Sequence, residues 1–387
     1  MLLGFAGKGE VALGAVLGFT TGNKRGPGPV LPVRGPVRPE QILNGGTCVP
    51  GIWDGLEAWA ESQGLGLVYG SPEVIEMAKA GVDVLRTAGD LDPGFFGKVL
   101  DEELRYLEGV SFPVRSVIVL SRPCPGYYAT FTLAEGPLRV PVPPIYGPYA
   151  LEARDLRQTL QGGALAGSQL ARLRAPIKSV ASRFGLVTYG RNNITYSPGV
   201  GSYQQLIGLV CDLELPASGA RLRTVGAPQM APECEGCEAC RKACPTGAIS
   251  EDRFLLRAER CLSYISDYGE PWPAWVPPTA PHSLVGCLLC QAACPMNRGR
   301  LSYEDLEPAF TVEETAWLLR EAETARATPA PEAGAAASSA ADPLREAIKA
   351  KFQALGLPGG DVVTGRNLAA FLAARRTGAR ETEIVAP

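Results

Sequence analysis

Eight cysteines carry the clearest chemical signal in this chain. They read Cys234-x2-Cys237-x2-Cys240-x3-Cys244-Pro245, then an isolated Cys261, then Cys287-x2-Cys290-x3-Cys294-Pro295. Thiolates at these intervals, each run closed by Cys-x3-Cys-Pro, match the spacing that holds cubane iron–sulfur clusters. In two-cluster ferredoxins the cysteine before the proline crosses to the other cluster. That rule groups Cys234, Cys237 and Cys240 with Cys294. The second run is one ligand short, and Cys244 crossing over together with Cys261 completes a set with Cys287 and Cys290. Two [4Fe-4S] clusters are expected, near enough to each other to pass single electrons. Paired Cys-x2-Cys motifs also bind zinc, but a zinc site has no need of the Cys-x3-Cys-Pro ending twice.

The other chemistry-bearing residues are few. Cys48, Cys124 and Cys211 fall outside both runs and read as structural, Cys211 in an apolar stretch and Cys124 between two prolines. A single histidine, His282, lies inside the cysteine block. It excludes histidine-based dyads elsewhere, argues against a haem or multi-histidine metal site, and is expected at the surface or behind the ligands. Lys and Arg total 37 against 40 Asp and Glu, a formal charge of -3. No bulk positive field draws such a chain to nucleic acid or to an anionic membrane. Thiolate sites that keep iron suit a reducing interior, so a cytoplasmic setting is expected. Residues 11–19 are apolar but too few to span a bilayer, with Lys8 and Glu10 at their edge, and no membrane span is expected.

The elements that must position the thiols can be read around them. At 387 residues the chain has room for two or three domains. Residues 1–63 read as an extended arm, punctuated by GPGPVLPVRGPVRP. Residues 64–225 read as the larger domain. Amphipathic helices are predicted over 72–80 and 93–107, behind Ser71 and Asp92, each followed by a proline suited to a first helical turn. Strands are predicted over 114–120 and 205–215, helices over 149–161 and 176–184, and an irregular stretch over 141–148. Strands alternating with helices suggest an α/β arrangement. The cysteine block, residues 226–310, is a small insert whose fold metal sets. A helix over 311–324, a low-complexity linker over 325–342 and a C-terminal segment over 343–387 with two helices complete the chain.

Between Lys178 and Asp212 the chain is rich in Gly, Asn, Ser and Tyr. Such a stretch suits a large polar cofactor, and equally an ordinary turn-rich connection. Here the sequence resembles a known family. Gly185-Leu186-Val187-Thr188-Tyr189-Gly190-Arg191-Asn192, followed by Gly201-Ser202 and Gly208, resembles the signature of epoxyqueuosine reductases, whose iron–sulfur part is in turn similar to that of reductive dehalogenases. CxxCxxCxxxCPTGAI, Cys261-Leu262-Ser263-Tyr264-Ile265 and GCLLCQAACPMN match more closely still, and RNLAAFL from Arg366 is a weaker echo of the family's C-terminal region.

The resemblance implies an α+β protein: a nitroreductase-like, cobalamin-binding α/β domain, a ferredoxin-like insert with two [4Fe-4S] clusters, and a short helical C-terminus. Cobalamin would be bound without a histidine ligand and reduced by the clusters. Gly190 and Asn192 match the family's Gly-Lys-Asn motif, Arg191 replaces its lysine, and Gly201 and Ser202 match the following turn; all five are candidate cofactor contacts. The family places a proton-donating aspartate before the helix, in an Asp-x-x-Pro context. Taking Pro176 as that proline, Leu173 occupies its position, among the basic Arg172, Arg174 and Lys178. By analogy with the dehalogenases, Tyr189 and Tyr196 with Arg191 as the neighbouring charge are the candidate catalytic residues. The repeats through which longer members grip tRNA are reduced to two helices, so tRNA is not expected as a partner. The expected function is a cobalamin-dependent reductase of a small-molecule or protein-bound substrate, fed by a ferredoxin- or flavodoxin-type donor. The alternative is an electron-transfer or activator protein that reduces a corrinoid or other cofactor on a partner.

Overall fold

The computed structural model describes residues 51–101, 104–251, 255–267, 271–327, 343–357 and 360–377. Cys48, the apolar run at 11–19, most of the arm and the linker over 328–342 lie outside them. Helix α1 (Ile52–Ser62) buries Trp53, Leu56 and Ala60. Strand β1 (Gly66–Gly70) follows, then α2 (Glu73–Thr87), whose Val74, Ile75, Ala78, Val82 and Leu85 recur at helical spacing and form its buried face. The helix predicted over 93–107 is helical over Pro93–Leu100, started by Asp92, whose carboxylate accepts the Phe95 N–H at 2.7 Å. Beyond it Tyr106 turns to a positive φ and bridges to Arg174, tying the segment to the sheet.

Strand β2 (Ser116–Pro123) is the centre of the main sheet, with Val117 to Leu120 fully buried. Its neighbours are β1 and β8 (Gln204–Cys211), and β5 (Leu170–Arg172) and β9 (Leu222–Arg223) flank them in the order β5-β8-β2-β1-β9. Only β1 and β9 run parallel. Alternating helices and strands thus build a mostly antiparallel sheet. The link from β1 to β2, carrying α2 and a long loop, reaches far enough to bring the chain back in either direction.

A second sheet was not legible in the sequence. The hairpin β3 (Gly126–Leu133) and β4 (Gly136–Val142) takes β10 (Tyr303–Phe310) as a parallel partner, in the order β10-β3-β4. Because β10 follows the last cysteine, this pairing anchors the far end of the cysteine block to the main domain. The Phe131 and Phe310 rings stack at 4.6 Å across that junction. Between the sheets run α3 (Pro148–Gly162), α4 (Ile177–Arg183) and a small hairpin of β6 (Thr188–Tyr189) with β7 (Thr195–Tyr196). In the cysteine block three short helices carry or follow the thiols: α5 (Ala239–Ala243), α6 (Leu262–Asp267) and α7 (Leu289–Ala292).

The described residues end on three helices: α8 (Val312–Ala327), which runs into the segment predicted as linker, then α9 (Pro343–Ala354) and α10 (Gly360–Arg376). They cover the second sheet, with Leu318, Phe352 and Leu368 packed against Phe310 in one core. The Gly147 N–H donates to the Gly356 carbonyl at 3.1 Å, so this unit also fixes the loop that carries Tyr146.

A shielded ion pair joins α8 to α9. Lys351 Nζ lies 2.6 Å from Glu314 Oε2, with side chains only 14% and 10% exposed. Burial alone would raise the Glu314 carboxyl, but the bonds from Lys351 and Thr311 outweigh it and hold the group below its ordinary value. A depressed carboxylate adds stability above its unfolded pKa and loses it as pH falls through the folded one. Lys351→Met is expected to destabilise the protein by about 3–5 kcal/mol at neutral pH, by stranding a buried charge. Below about pH 4, where the unpaired carboxyl takes a proton, the deficit should shrink. Denaturant midpoints at the two pH values measure it; an equal deficit at both would refute the ion-pair account.

Candidate iron–sulfur and cofactor site

The eight thiols divide between two cavities. Cys234, Cys237, Cys240 and Cys294 line a small one. Cys244, Cys261, Cys287 and Cys290 line part of the wall of a second, of about 490 Å³. Burial raises the thiols of Cys261, Cys287 and Cys290, and Cys240 is pushed up to about 11 by burial and then by the neighbouring Cys234. Thiols raised in this way keep their protons until a cation replaces them. Cluster assembly at either set therefore releases protons. Among the described residues no three His, Cys, Asp or Glu side chains converge on a position for a single metal ion.

The β6–β7 hairpin serves the small cavity. One edge of the Tyr189 backbone bridges to the segment around Met230, its N–H donating to Gln229 O at 2.7 Å and its carbonyl accepting the Ala231 N–H at 2.8 Å, which leads the chain directly to Cys234. Its ring is buried and lines neither cavity. The Arg191 N–H donates to Cys234 Sγ at 3.3 Å, and its guanidinium to Cys234 O at 3.1 Å. Asn192 Nδ2 donates to Tyr196 Oη at 2.9 Å, and Tyr196 lies beside Cys294. Gly190 sits beneath that ring, where a Cβ would come within 2.5 Å of it. Burial, then Cys294, raises the Tyr196 hydroxyl. Of the three residues predicted to be catalytic, Arg191 and Tyr196 thus face the first thiol set, and the structure brings none of the three to the larger cavity.

Of the five predicted cofactor contacts, Asn192 and Ser202 line the large cavity, and Asn192 lines both. Gly201 and Ser202 also dock the cysteine block. Ser202 N–H donates to Asn297 Oδ1 at 2.9 Å, Asn297 Nδ2 donates to Ser202 Oγ at 2.7 Å, and Ser202 Oγ donates to Gln291 Oε1 at 2.8 Å. Gly201 has φ 74°, and a Cβ there would lie 2.4 Å from Asn297 Oδ1. His282 is held inside the block, Nδ1 at 2.8 Å from Ala280 O and Nε2 accepting the Leu288 N–H at 3.3 Å, so it is spent on the backbone next to Cys287. Cys124 and Cys211 are buried and line neither cavity.

The large cavity also holds polar groups that motif reading did not single out. Lys178 donates to Asn193 O at 2.6 Å, and burial lowers its ammonium to about 7. Gln205 has a buried Oε1 with no hydrogen-bond partner. Tyr146 and Asp267 share a hydrogen bond on the wall, with Oη to Oδ1 at 2.8 Å. Leu173, at the position of the family aspartate, is buried in the core with Ala175 and Val180 and does not line the cavity. Tyr146 sits in the stretch read as irregular, and Asp267 follows Cys261 by one helix. Only the packing brings them together.

Residues 233–297 match the family model for a 4Fe-4S double cluster binding domain, which makes the chain a two-cluster iron–sulfur protein. Among curated proteins it is 34% identical over 128 residues to epoxyqueuosine reductase of Pseudomonas aeruginosa, covering 32% of this chain and 33% of that one. Over 135 residues it is 34% identical to the Yersinia pestis enzyme, covering 34% and 30%. The chain therefore spans about a third of the length of the curated relatives it matches. Its fold is similar to a solved epoxyqueuosine reductase from Bacillus subtilis, with a TM-score of 0.56, 19% identity and coverage of 86% and 84%. It is similar also to an epoxyqueuosine reductase solved with a tRNA-Tyr stem loop, with a TM-score of 0.53, 16% identity and coverage of 85% and 84%. The chain is thus similar to epoxyqueuosine reductases over about a third of its length in sequence and over most of its length in fold. A tRNA-bound neighbour gives no support to the expectation that tRNA is not a partner. No helix among the described residues is long and apolar enough to cross a membrane.

Proposed function

We propose that the chain is an iron–sulfur reductase that delivers single electrons into the 490 Å³ cavity, where cobalamin is held. The observation that carries this reading is that one complete set of four thiols forms part of the cavity's own wall. In it, Cys234, Cys237, Cys240 and Cys294 hold the outer cluster, with Arg191 and Tyr196 tuning it through the contacts to Cys234 and the place beside Cys294. Cys244, Cys261, Cys287 and Cys290 hold the inner one. The cavity residues suit a large polar cofactor: Asn192, Thr195, Ser202 and Gln204 offer amides and hydroxyls, and Gln205 an unpartnered buried oxygen. No histidine lines the cavity, so the chain supplies no imidazole to cobalt. When bound, cobalamin would supply a low-potential metal centre for reductive bond cleavage. The relatives' name puts an epoxide first among candidate substrates. A cavity of this size in the chain itself favours an enzyme over an activator that works on a partner's cofactor.

Anaerobically reconstituted protein, mixed with hydroxocobalamin and gel-filtered, should retain about one corrinoid per chain by its visible spectrum. Replacing Thr195 with Trp, which narrows the cavity, should weaken retention at least about 100-fold while leaving iron content unchanged. Retention of none by the parent protein would sink the cobalamin reading.

A further inference from the structure

The cavity wall carries an acid that the motif position lacks. Asp267 ends α6, the helix that begins directly after Cys261, and it lines the same cavity as the second thiol set. Tyr146 Oη donates to it at 2.8 Å from the opposite loop. The helix end is clamped from three sides. Arg366 Nη2 donates to Ile265 O at 3.1 Å and to Ser266 O at 3.0 Å, Asn367 Nδ2 donates to Ser266 O at 2.9 Å, and Ser266 Oγ accepts the Gly286 N–H at 2.7 Å. The Arg-Asn pair of the RNLAAFL echo is thus spent on fixing the residue next to Asp267. A carboxyl so placed is a positioned group on a reaction cavity rather than a mobile surface charge.

We propose that Asp267, held by Tyr146 and by the α10 clamp, is the proton donor of this cavity, in the role that Leu173 cannot fill. The proposal rests on the reading of the cavity as a reductive site. For an epoxide, two electrons from an external low-potential one-electron donor and two protons convert the ring to an alkene and water. As the first carbon–oxygen bond breaks, Asp267 gives its proton to the ring oxygen and becomes a carboxylate, which solvent reprotonates. Burial raises this carboxyl to about 6, while Tyr146 and the Arg366 charge pull it down, so the acid form persists far nearer neutrality than for an exposed aspartate. Epoxide itself cannot supply that proton.

Two measurements on the full, cluster-loaded chain test it. Infrared spectra taken through the acid range should show a carboxylic-acid carbonyl band with a midpoint near pH 6. Asp267→Asn should remove the band, and Tyr146→Phe, which deletes a bond favouring the carboxylate, should move its midpoint upward. With hydroxocobalamin added and titanium(III) citrate as donor, turnover of cyclohexene oxide should fall about 100-fold or more in Asp267→Asn and lose its pH dependence. Asp267→Glu should restore part of both. Survival of the band in the Asn variant, or of its rate, would overturn the assignment. Corrinoid retention reads the underlying function separately: a chain that retains none fails that reading, while the infrared titration still decides the acid.

Discussion

Cys261→Ala should halve the iron of the reconstituted protein, from about eight atoms per chain to about four. The reason is geometric. Cys261 lies between the two ferredoxin-like runs in sequence, yet it lines the large cavity with Cys244, Cys287 and Cys290. Removing it leaves three thiols, of which burial raises Cys287 and Cys290, and an iron open to the cavity. Three such ligands do not retain a cubane cluster through gel filtration. Cys124→Ser is the control, since the Cys124 thiol is held against Arg122 O at 3.4 Å and lines neither cavity. Iron and sulfide assays with electron paramagnetic resonance of the reduced protein measure the outcome. Full iron in Cys261→Ala would mean that the second set closes on some other ligand.

The second large effect is expected at the junction between the main domain and the cysteine block. Gly201→Val places a β-branched side chain at φ 74° with its Cβ 2.4 Å from Asn297 Oδ1 and 2.9 Å from Arg300 Cδ. The left-handed backbone costs about 1–2 kcal/mol for a non-glycine residue. Displacing Asn297 strands the Ser202 N–H and Oγ, for about 1–3 kcal/mol more each. The sum, about 3–8 kcal/mol, is large against a typical net stability. Two-state loss of the whole fold is not required, because the block has a second anchor in β10. The expected result is a Tm lowered by several degrees and early proteolysis within the cysteine block. Gly201→Ala, without the branch, should sit between parent and Val. An unchanged melting profile in the Val variant would show that the Ser202–Asn297 contact holds nothing.

Leu173 and Asp267 show how far motif reading carries. A motif compares positions along the chain, so an empty acid position reads as a missing acid. The cavity compares positions in space. Leu173 packs with Val180 in the core, because β5 and the turn into α4 point it away from the cavity, whereas α6 carries Asp267 to the wall. Tyr189 and Tyr196 illustrate the same limit. Both sit in a Gly- and Asn-rich stretch that suits a cofactor, yet the pairing of β6 with the strand leading to Cys234 turns this hairpin toward the first thiol set. The second sheet escaped notice because its strand β10 is rich in charge and its partner lies far away in sequence, on the other side of the cysteine block.

What the sequence determined by itself is the metal chemistry: cysteine spacing is a local covalent property, so the grouping into two sets of four could be argued before any fold was known. The helices at 149–161 and 176–184 were legible for the same local reason, since hydrophobic period and caps act over a few residues; the α+β class came from the resemblance, because the alternation of elements alone pointed to α/β. Which thiol set meets the large cavity, and which acid stands opposite it, was decided only by tertiary structure. Those neighbours come from β2–β8 pairing, the return of β10 beside β3, and the α10 clamp on α6, contacts between residues about eighty to one hundred and eighty positions apart.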